Sequence, residues 1–269
     1  METDTKADDA PRSCPLCGGN DSADLPDYSR EHWRVVECSG CGFTYLSNPP
    51  GYEALETDFA WEKTFVEERA AREARTDASA RIDGLTRWRL KLFRRNEQDL
   101  YLSLFGPGRV LDVGCGGGDR LAAEQTPYGI EISKALFEAA DEVMRARGGR
   151  AVHAPAVEGI DAFPDGFFDG ILLRSFLEHE TQPELLLERA HRVLAEDGKL
   201  YIRVPNFGSV NRRVMGRKWC GFRYPDHVNY FTLSGLKKMA RGIGFKVKVL
   251  NRLTLPFDDN IKAVLTRAA

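Results

Sequence analysis

The chain has 269 residues, 42% hydrophobic and 29% charged, with a formal net charge of −2. That balance is ordinary for a globular protein and excludes a chain-wide electrostatic commitment to nucleic acid. No stretch approaches the roughly 20 apolar residues of a membrane span, and the acidic lead from Met1 to Asp9 is the opposite of a secretion signal. The expectation is a cytoplasmic protein with one large domain, a smaller appendage and a disordered lead over residues 1–9.

Residues 10–50 carry Cys14-Pro-Leu-Cys17-Gly-Gly and Cys38-Ser-Gly-Cys41-Gly-Phe, two C-x-x-C knuckles twenty residues apart. Two-residue spacing lets both sulfurs of a knuckle reach one ion, and the glycine that follows permits a tight turn. Two disulfides are disfavoured by the inferred compartment. A redox dithiol would sit at a helix start in a βαβ setting, which is absent here. The pattern therefore predicts a structural Zn²⁺ held by Cys14, Cys17, Cys38 and Cys41 in a zinc ribbon, with Trp33 to Glu37 as a strand entering the second knuckle. Cys220 has no sequence-near partner. Residues 51–105 read as a helical cap: Leu85, Trp88, Leu92 and Phe93 share one face, and Leu100, Leu104 and Phe105 extend it. Its basic residues (Arg69, Arg72, Arg75, Arg81, Arg87, Arg89, Lys91, Arg94, Arg95) make either a solvated face or a surface that attracts an anionic substrate.

Residues 106–269 begin the main domain. Arg109-Val-Leu-Asp112-Val-Gly114-Cys115-Gly116-Gly-Gly118 is an apolar strand ending in a carboxylate and a glycine run, followed by the helix-forming stretch Asp119 to Glu124. Glycines there let a ligand lie against main-chain N–H groups. A dinucleotide fingerprint would place a third glycine at position 119, where this chain has Asp119. A carboxylate aimed into the turn would also repel a pyrophosphate. It suits an ammonium, and S-adenosylmethionine carries one and no phosphate. Nineteen positions after Asp112, the strand Tyr128 to Ile132 presents Glu131, placed to accept both ribose hydroxyls. Ile132, just beyond, can lie against an adenine face.

From Arg109 to Asn206 the order of these motifs resembles the class I S-adenosylmethionine-dependent methyltransferases. The resemblance implies a Rossmann-like α/β fold: a seven-stranded methyltransferase sheet whose last strands are Phe245 to Leu250 and Lys262 to Arg267, the final one antiparallel. It implies that Asp112, Gly114, Cys115 and Gly116 form the glycine-rich motif at the methionine end, with Cys115 a small residue tolerated in the turn. Ala156 to Ile160 falls where the family contacts adenine, which adds Val157 and Glu158. Phe168 to His179 is similar to the fourth strand and the turn facing the methyl donor, with Arg174 at its end. Zinc ribbon, Pro49-Pro50 turn and cap together resemble bacterial natural-product methyltransferases. Sugar C-methyltransferases among these continue for another domain, whereas this chain stops soon after the nucleotide fold.

Residues 207–231 read as a substrate lid rich in aromatics, starting beyond the carboxyl end of a strand, where ligands of such sheets collect. His227 is the candidate general base, an imidazole able to accept a proton from the methyl acceptor; a loop-holding hydrogen bond is its other reading. His179 is the second candidate. The expected activity is methylation of O, N or C on a small molecule, anionic or sugar-like. An RNA methyltransferase would show steep salt dependence, and the charge and the aromatic lid count against it. A non-catalytic scaffold docking a partner through the ribbon is disfavoured by the intact Asp112, Gly114, Gly116 and Glu131.

Overall fold

The structure, a computed structural model, describes residues 11–51 and 96–268. Cap residues Leu85, Trp88, Leu92 and Phe93 and the basic positions from Arg69 to Arg95 lie outside them, as do residues 1–10. In chain order the strands and helices are β1 (Ser22–Asp24), β2 (Val35–Cys38), β3 (Thr44–Leu46), α1 (Glu97–Phe105), β4 (Arg109–Val113), β5 (Thr126–Glu131) and α2 (Lys134–Arg145). There follow β6 (Arg150–His153), α3 (Ala156–Gly159), β7 (Phe168–Arg174), α4 (Pro183–Val193) and β8 (Leu194–Pro205). The chain ends through α5 (Val210–Met215), β9 (Asn229–Tyr230), α6 (Leu233–Gly242), β10 (Phe245–Val249) and β11 (Asn260–Arg267). Among the described residues no helix is long and apolar enough to cross a membrane.

Seven strands form the large sheet in the order β10-β11-β8-β7-β4-β5-β6. The run from β8 to β6 is parallel, and β11 is antiparallel to both neighbours. Parallel strands bury both faces, which is why β4 and β7 are nearly continuous apolar runs. Leu111, Val113, Ile171, Leu173 and Ile202 pack with residues of α3, α4 and α6 on one face. Val110, Leu172 and Tyr201 meet Tyr101 of α1 on the other. Side-chain caps fix two helix starts: Ser133 Oγ accepts the Leu136 N–H before α2, and Thr232 Oγ1 accepts the Gly235 N–H before α6.

One expectation fails. Asp119 to Glu124 forms no helix; the connection from β4 to β5 is a run of turns. Three glycines in left-handed conformation consume the start of the connection, and the few residues left are too short for a packed helix. Their carbonyls find another donor. The Arg147 guanidinium donates to the carbonyls of Leu121 (3.2 Å), Ala122 and Gln125 (2.9 Å).

The small sheet, β1-β2-β3-β9, joins the N-terminal segment to residues 207–231, the expected lid: β3 pairs antiparallel with β9, Thr44 opposite Tyr230 and Tyr45 opposite Asn229. Arg12 locks this junction. Its Nε donates to the Leu46 carbonyl (2.8 Å), Nη1 to Thr181 (3.0 Å), and Nη2 to the Val228 carbonyl (2.5 Å) and to Asn229 Oδ1 (3.0 Å). Asn229 Nδ2 in turn donates to the carbonyls of Leu177 and Glu180. Burial lowers the Arg12 pKa to about 10, leaving the group charged at neutral pH. Charged hydrogen bonds of this kind are the strong ones, and removing the donor strands several carbonyls. Arg12→Ala is therefore expected to cost about 3 kcal/mol in urea denaturation, with Arg12→Lys recovering less than half, because an ammonium cannot span three carbonyls in one plane.

Candidate functional site

Beyond β4 the chain reverses through Gly114, Gly116 and Gly118, at φ of +70°, +57° and +80°. Such backbone favours glycine because a Cβ would crowd the following carbonyl. At Gly114 space forbids a side chain as well, since a Cβ would lie 2.6 Å from the Phe176 ring. At Gly116 and Gly117 a Cβ would meet nothing within 4 Å, so this part of the turn borders open space into which a ligand can settle.

Glu131, at the end of β5, closes the turn. Its Oε2 accepts the Gly116 N–H (2.9 Å) and its Oε1 the Ser133 N–H (3.0 Å). A carboxylate oxygen can accept a further bond, so two hydroxyls of a ribose can still be received there. The neighbouring Ile132 carbonyl lies 2.9 Å from His153 Nε2, and the His153 ring stacks on Phe137. Val157 is buried in α3, with its carbonyl accepting from Arg189, while Glu158 is exposed on the same helix.

Asp112 has a partner that the sequence reading did not foresee. It is fully buried, and Arg120 Nη1 reaches both its oxygens, at 2.8 and 2.6 Å. Burial raises its carboxyl to about 6, against the lowering influence of Arg120. Contact between Asp112 and a ligand ammonium would therefore have to share or displace that guanidinium. The Cys115 side chain turns from the cleft into a small core with Ala140, Met144 and Ala151, so only its backbone borders the turn. Its N–H donates to the Ile130 carbonyl. Arg174, at the end of β7, binds Glu97 (3.1 Å), which also faces Arg203 (3.7 Å).

The turn after β7 begins with Ser175 at φ +53°, a conformation rare outside glycine. It carries Phe176 against the glycine turn and then Glu178-His179. His179 and His227, the two base candidates, come together with ring centroids 4.7 Å apart. Each is tied through Nδ1 to a backbone carbonyl at 2.8 Å, His179 to Asp226 and His227 to Gly221. A carbonyl only accepts, so both rings carry a proton on Nδ1, which in the neutral imidazole leaves the lone pair on Nε2. Burial, with help from Arg223, drops the His179 pKa to about 4, so that ring is neutral at physiological pH. Glu178 lies beside them, buried, its carboxyl raised by burial to about 8.

At the N-terminus the ligand atoms of Cys14, Cys17, Cys38 and Cys41 all lie within 4.8 Å of one another. Sulfurs pair at 3.5 Å, Cys14 with Cys41 and Cys17 with Cys38. Four thiolates about 2.3 Å from one tetrahedral ion would stand ~3.8 Å apart, so the donor set suits zinc. Gly18 and Gly42, both at φ +69°, make the knuckle turns. Burial opposes ionisation of Cys38, yet hydrogen bonds led by the Cys41 backbone outweigh it and bring the thiol down to about 7.

Arg120, Glu178 and Arg12 were missed as functional positions. Arg120 stands eight residues after Asp112 with no periodic link to it. Glu178 was visible as the neighbour of His179, and Arg12 had no sequence signal.

The fold and the glycine–carboxylate turn together define a methyltransferase architecture, and comparison with known proteins agrees. The methyltransferase-domain family matches residues 81–249, and the chain belongs to that family. A SAM-dependent methyltransferase from Archaeoglobus fulgidus shares the fold at a TM-score of 0.50 and 18% identity, over 63% of this chain and 90% of its own. An uncharacterized protein of Methanocaldococcus jannaschii is 26% identical over 140 residues, 52% of this chain and 65% of its own length. A ubiquinone biosynthesis O-methyltransferase of Xanthomonas oryzae pv. oryzae is 32% identical over 109 residues, 36% of this chain and 43% of its own. The chain thus spans less than two thirds of either curated relative.

Two outcomes are expected. Glu131→Ala, which removes the expected ribose acceptor and strands the Gly116 and Ser133 amides, should weaken S-adenosylmethionine binding in calorimetry by about 2–3 kcal/mol. Folded Asp112 gains a proton near pH 6, whereas in the unfolded chain it titrates at its ordinary 3.8. Between those values the folded state binds more protons, so this carboxyl's contribution to stability falls as pH rises from about 4 to about 6 and is level above. Denaturant titrations of wild type and Asp112→Asn should show their stability difference changing only in that window.

Proposed function

We propose that the protein transfers a methyl group from S-adenosylmethionine to a hydroxyl oxygen of a small molecule, and that Cys14, Cys17, Cys38 and Cys41 hold a structural zinc ion. The observation that carries this reading is the position of Phe176. Its ring abuts Gly114 of the donor turn, while two residues on the same strand-end brings Glu178 and His179 to His227. The turn after β7 thereby touches both the glycine turn and the candidate proton-handling cluster at the carboxyl edge of the sheet, where α/β ligands bind. When bound, the cofactor supplies a methyl already activated by its sulfonium. The glycine amides and Glu131 would orient it, and Val157 and Ile132 would flank the adenine. Positioning then supplies much of the rate, as a bimolecular displacement becomes an encounter within one site.

An oxygen acceptor is supported by the O-methyltransferase named among the relatives and by the cluster, which can relieve a hydroxyl of its proton. A small molecule is supported by the lid, where Phe207, Trp219 and Tyr230 pack with Trp33, Val35 and Leu46 into one apolar wall. Zinc would act at a distance: it would set the knuckles that position β3, and β3 pairs with β9 two residues beyond His227.

Labelled-methyl transfer from S-adenosylmethionine to pools of hydroxylated small molecules and to RNA tests the reading. Label in a small-molecule ether is expected, with Phe176→Ala slowing turnover at least about tenfold through loss of registration between donor turn and cluster. Label confined to RNA, or no donor binding, overturns it. Metal analysis should give one zinc per chain in the Cys site, and Cys38→Ser should abolish it and lower the melting temperature.

A further inference from the structure

Among the described residues a second group of side chains meets metal-binding geometry. Ligand atoms of Glu178, His179 and His227 all lie within 4.8 Å of one another, on the turn after β7 and the lid. Each histidine donates Nδ1–H to a backbone carbonyl, His179 to Asp226 and His227 to Gly221. That bond selects the tautomer, fixes the ring and raises the basicity of Nε2, as it does for histidines that bind metals. Glu178 Oε2 is buried and makes no hydrogen bond. Three guanidinium groups bear on Glu178 electrostatically, but each has another carboxylate: Arg174 and Arg203 share Glu97, and Arg223 pairs with Asp226 at 3.2 Å. Glu178 is thus a buried carboxyl group with no cation within ion-pair distance among the described residues.

We propose that Glu178, His179 and His227 bind a divalent first-row transition ion, which receives the acceptor's hydroxyl oxygen. Two imidazoles and one carboxylate leave coordination positions open and suit an ion of intermediate softness such as zinc or iron(II). Ligand atoms around such an ion stand ~3 to 3.5 Å apart, so small rotations of the three side chains complete the shell. The inference rests on the proposed methyl transfer and names its acceptor as a metal-chelating hydroxyl compound. Coordination lowers the hydroxyl pKa, and its proton passes to solvent. The oxygen lone pair then forms the C–O bond while the donor's S–CH₃ bond breaks, its electron pair remaining on sulfur. With the ion bound, both Nε2 lone pairs are engaged by it, so the cluster relieves the hydroxyl of its proton through coordination and not through a histidine base.

Cobalt titration of the full-length protein, its cysteine site loaded with zinc, tests this. Expected is one equivalent of Co²⁺ with visible d–d absorption and no thiolate charge-transfer band, its affinity reduced about tenfold or more in Glu178→Gln and in His227→Gln. Calorimetry with S-adenosylmethionine shows that both variants are folded by retained donor binding; if one is not, the other serves. A wild-type protein that binds the donor but gives no d–d band overturns the metal site and leaves the methyl-transfer reading standing. So do bands unchanged in both variants, or bands with thiolate character that vanish in Cys38→Ser. Failure of wild type to bind the donor overturns the methyl-transfer reading instead, while the cobalt bands still report the ion.

Discussion

The guanidinium of Arg12 is the contact on which the arrangement of the site depends. It stands two residues before the first knuckle, yet its donors end on β3, on the turn after β7 and on the lid strand β9. Those carbonyls belong to segments that are brief or irregular, where the backbone has few ladder partners of its own. A planar fork of five donors satisfies several of them at once, which neither lysine nor water could do in fixed geometry. His179 and His227 flank the anchored residues Thr181 and Val228, so the same bonds that seat the N-terminal segment hold the two rings in register.

The donor side has a different logic. There the backbone itself is shaped, with left-handed glycines at the end of β4 and Glu131 bridging the turn to the start of α2. Little of it depends on long-range packing, apart from Phe176 filling the space above Gly114. The short connection to β5 follows from the same economy: Arg147 takes over carbonyls that a helix would have paired. One half of the crevice is thus made by local conformation, and the other by contacts between residues more than 150 positions apart.

This division explains what could be read in advance. The strand ending in Asp112, the glycine run, Glu131 and both C-x-x-C knuckles are contiguous or regularly spaced, and each spacing has a local stereochemical meaning. The helix expected at Asp119 to Glu124 was misjudged because propensity was read without the length of the crossover. The Arg120–Asp112 pair was invisible because a side chain eight positions away can turn back only where a helix is absent. Cys115 was grouped with the cofactor residues by position, whereas packing against Ala140 and Met144 turns its side chain inward.

By itself the sequence determined the apolar strands, the glycine turn after β4 and the two C-x-x-C knuckles, since apolar runs, glycines and close ligand spacings act over a few residues; the antiparallel last strand followed from the family resemblance instead. Tertiary structure alone decided that the N-terminal segment shares a sheet with the lid, and that Glu178, His179 and His227 converge. Their meeting depends on hydrogen bonds between chain segments far apart in sequence, and no local periodicity encodes which distant carbonyl a buried guanidinium or amide will find.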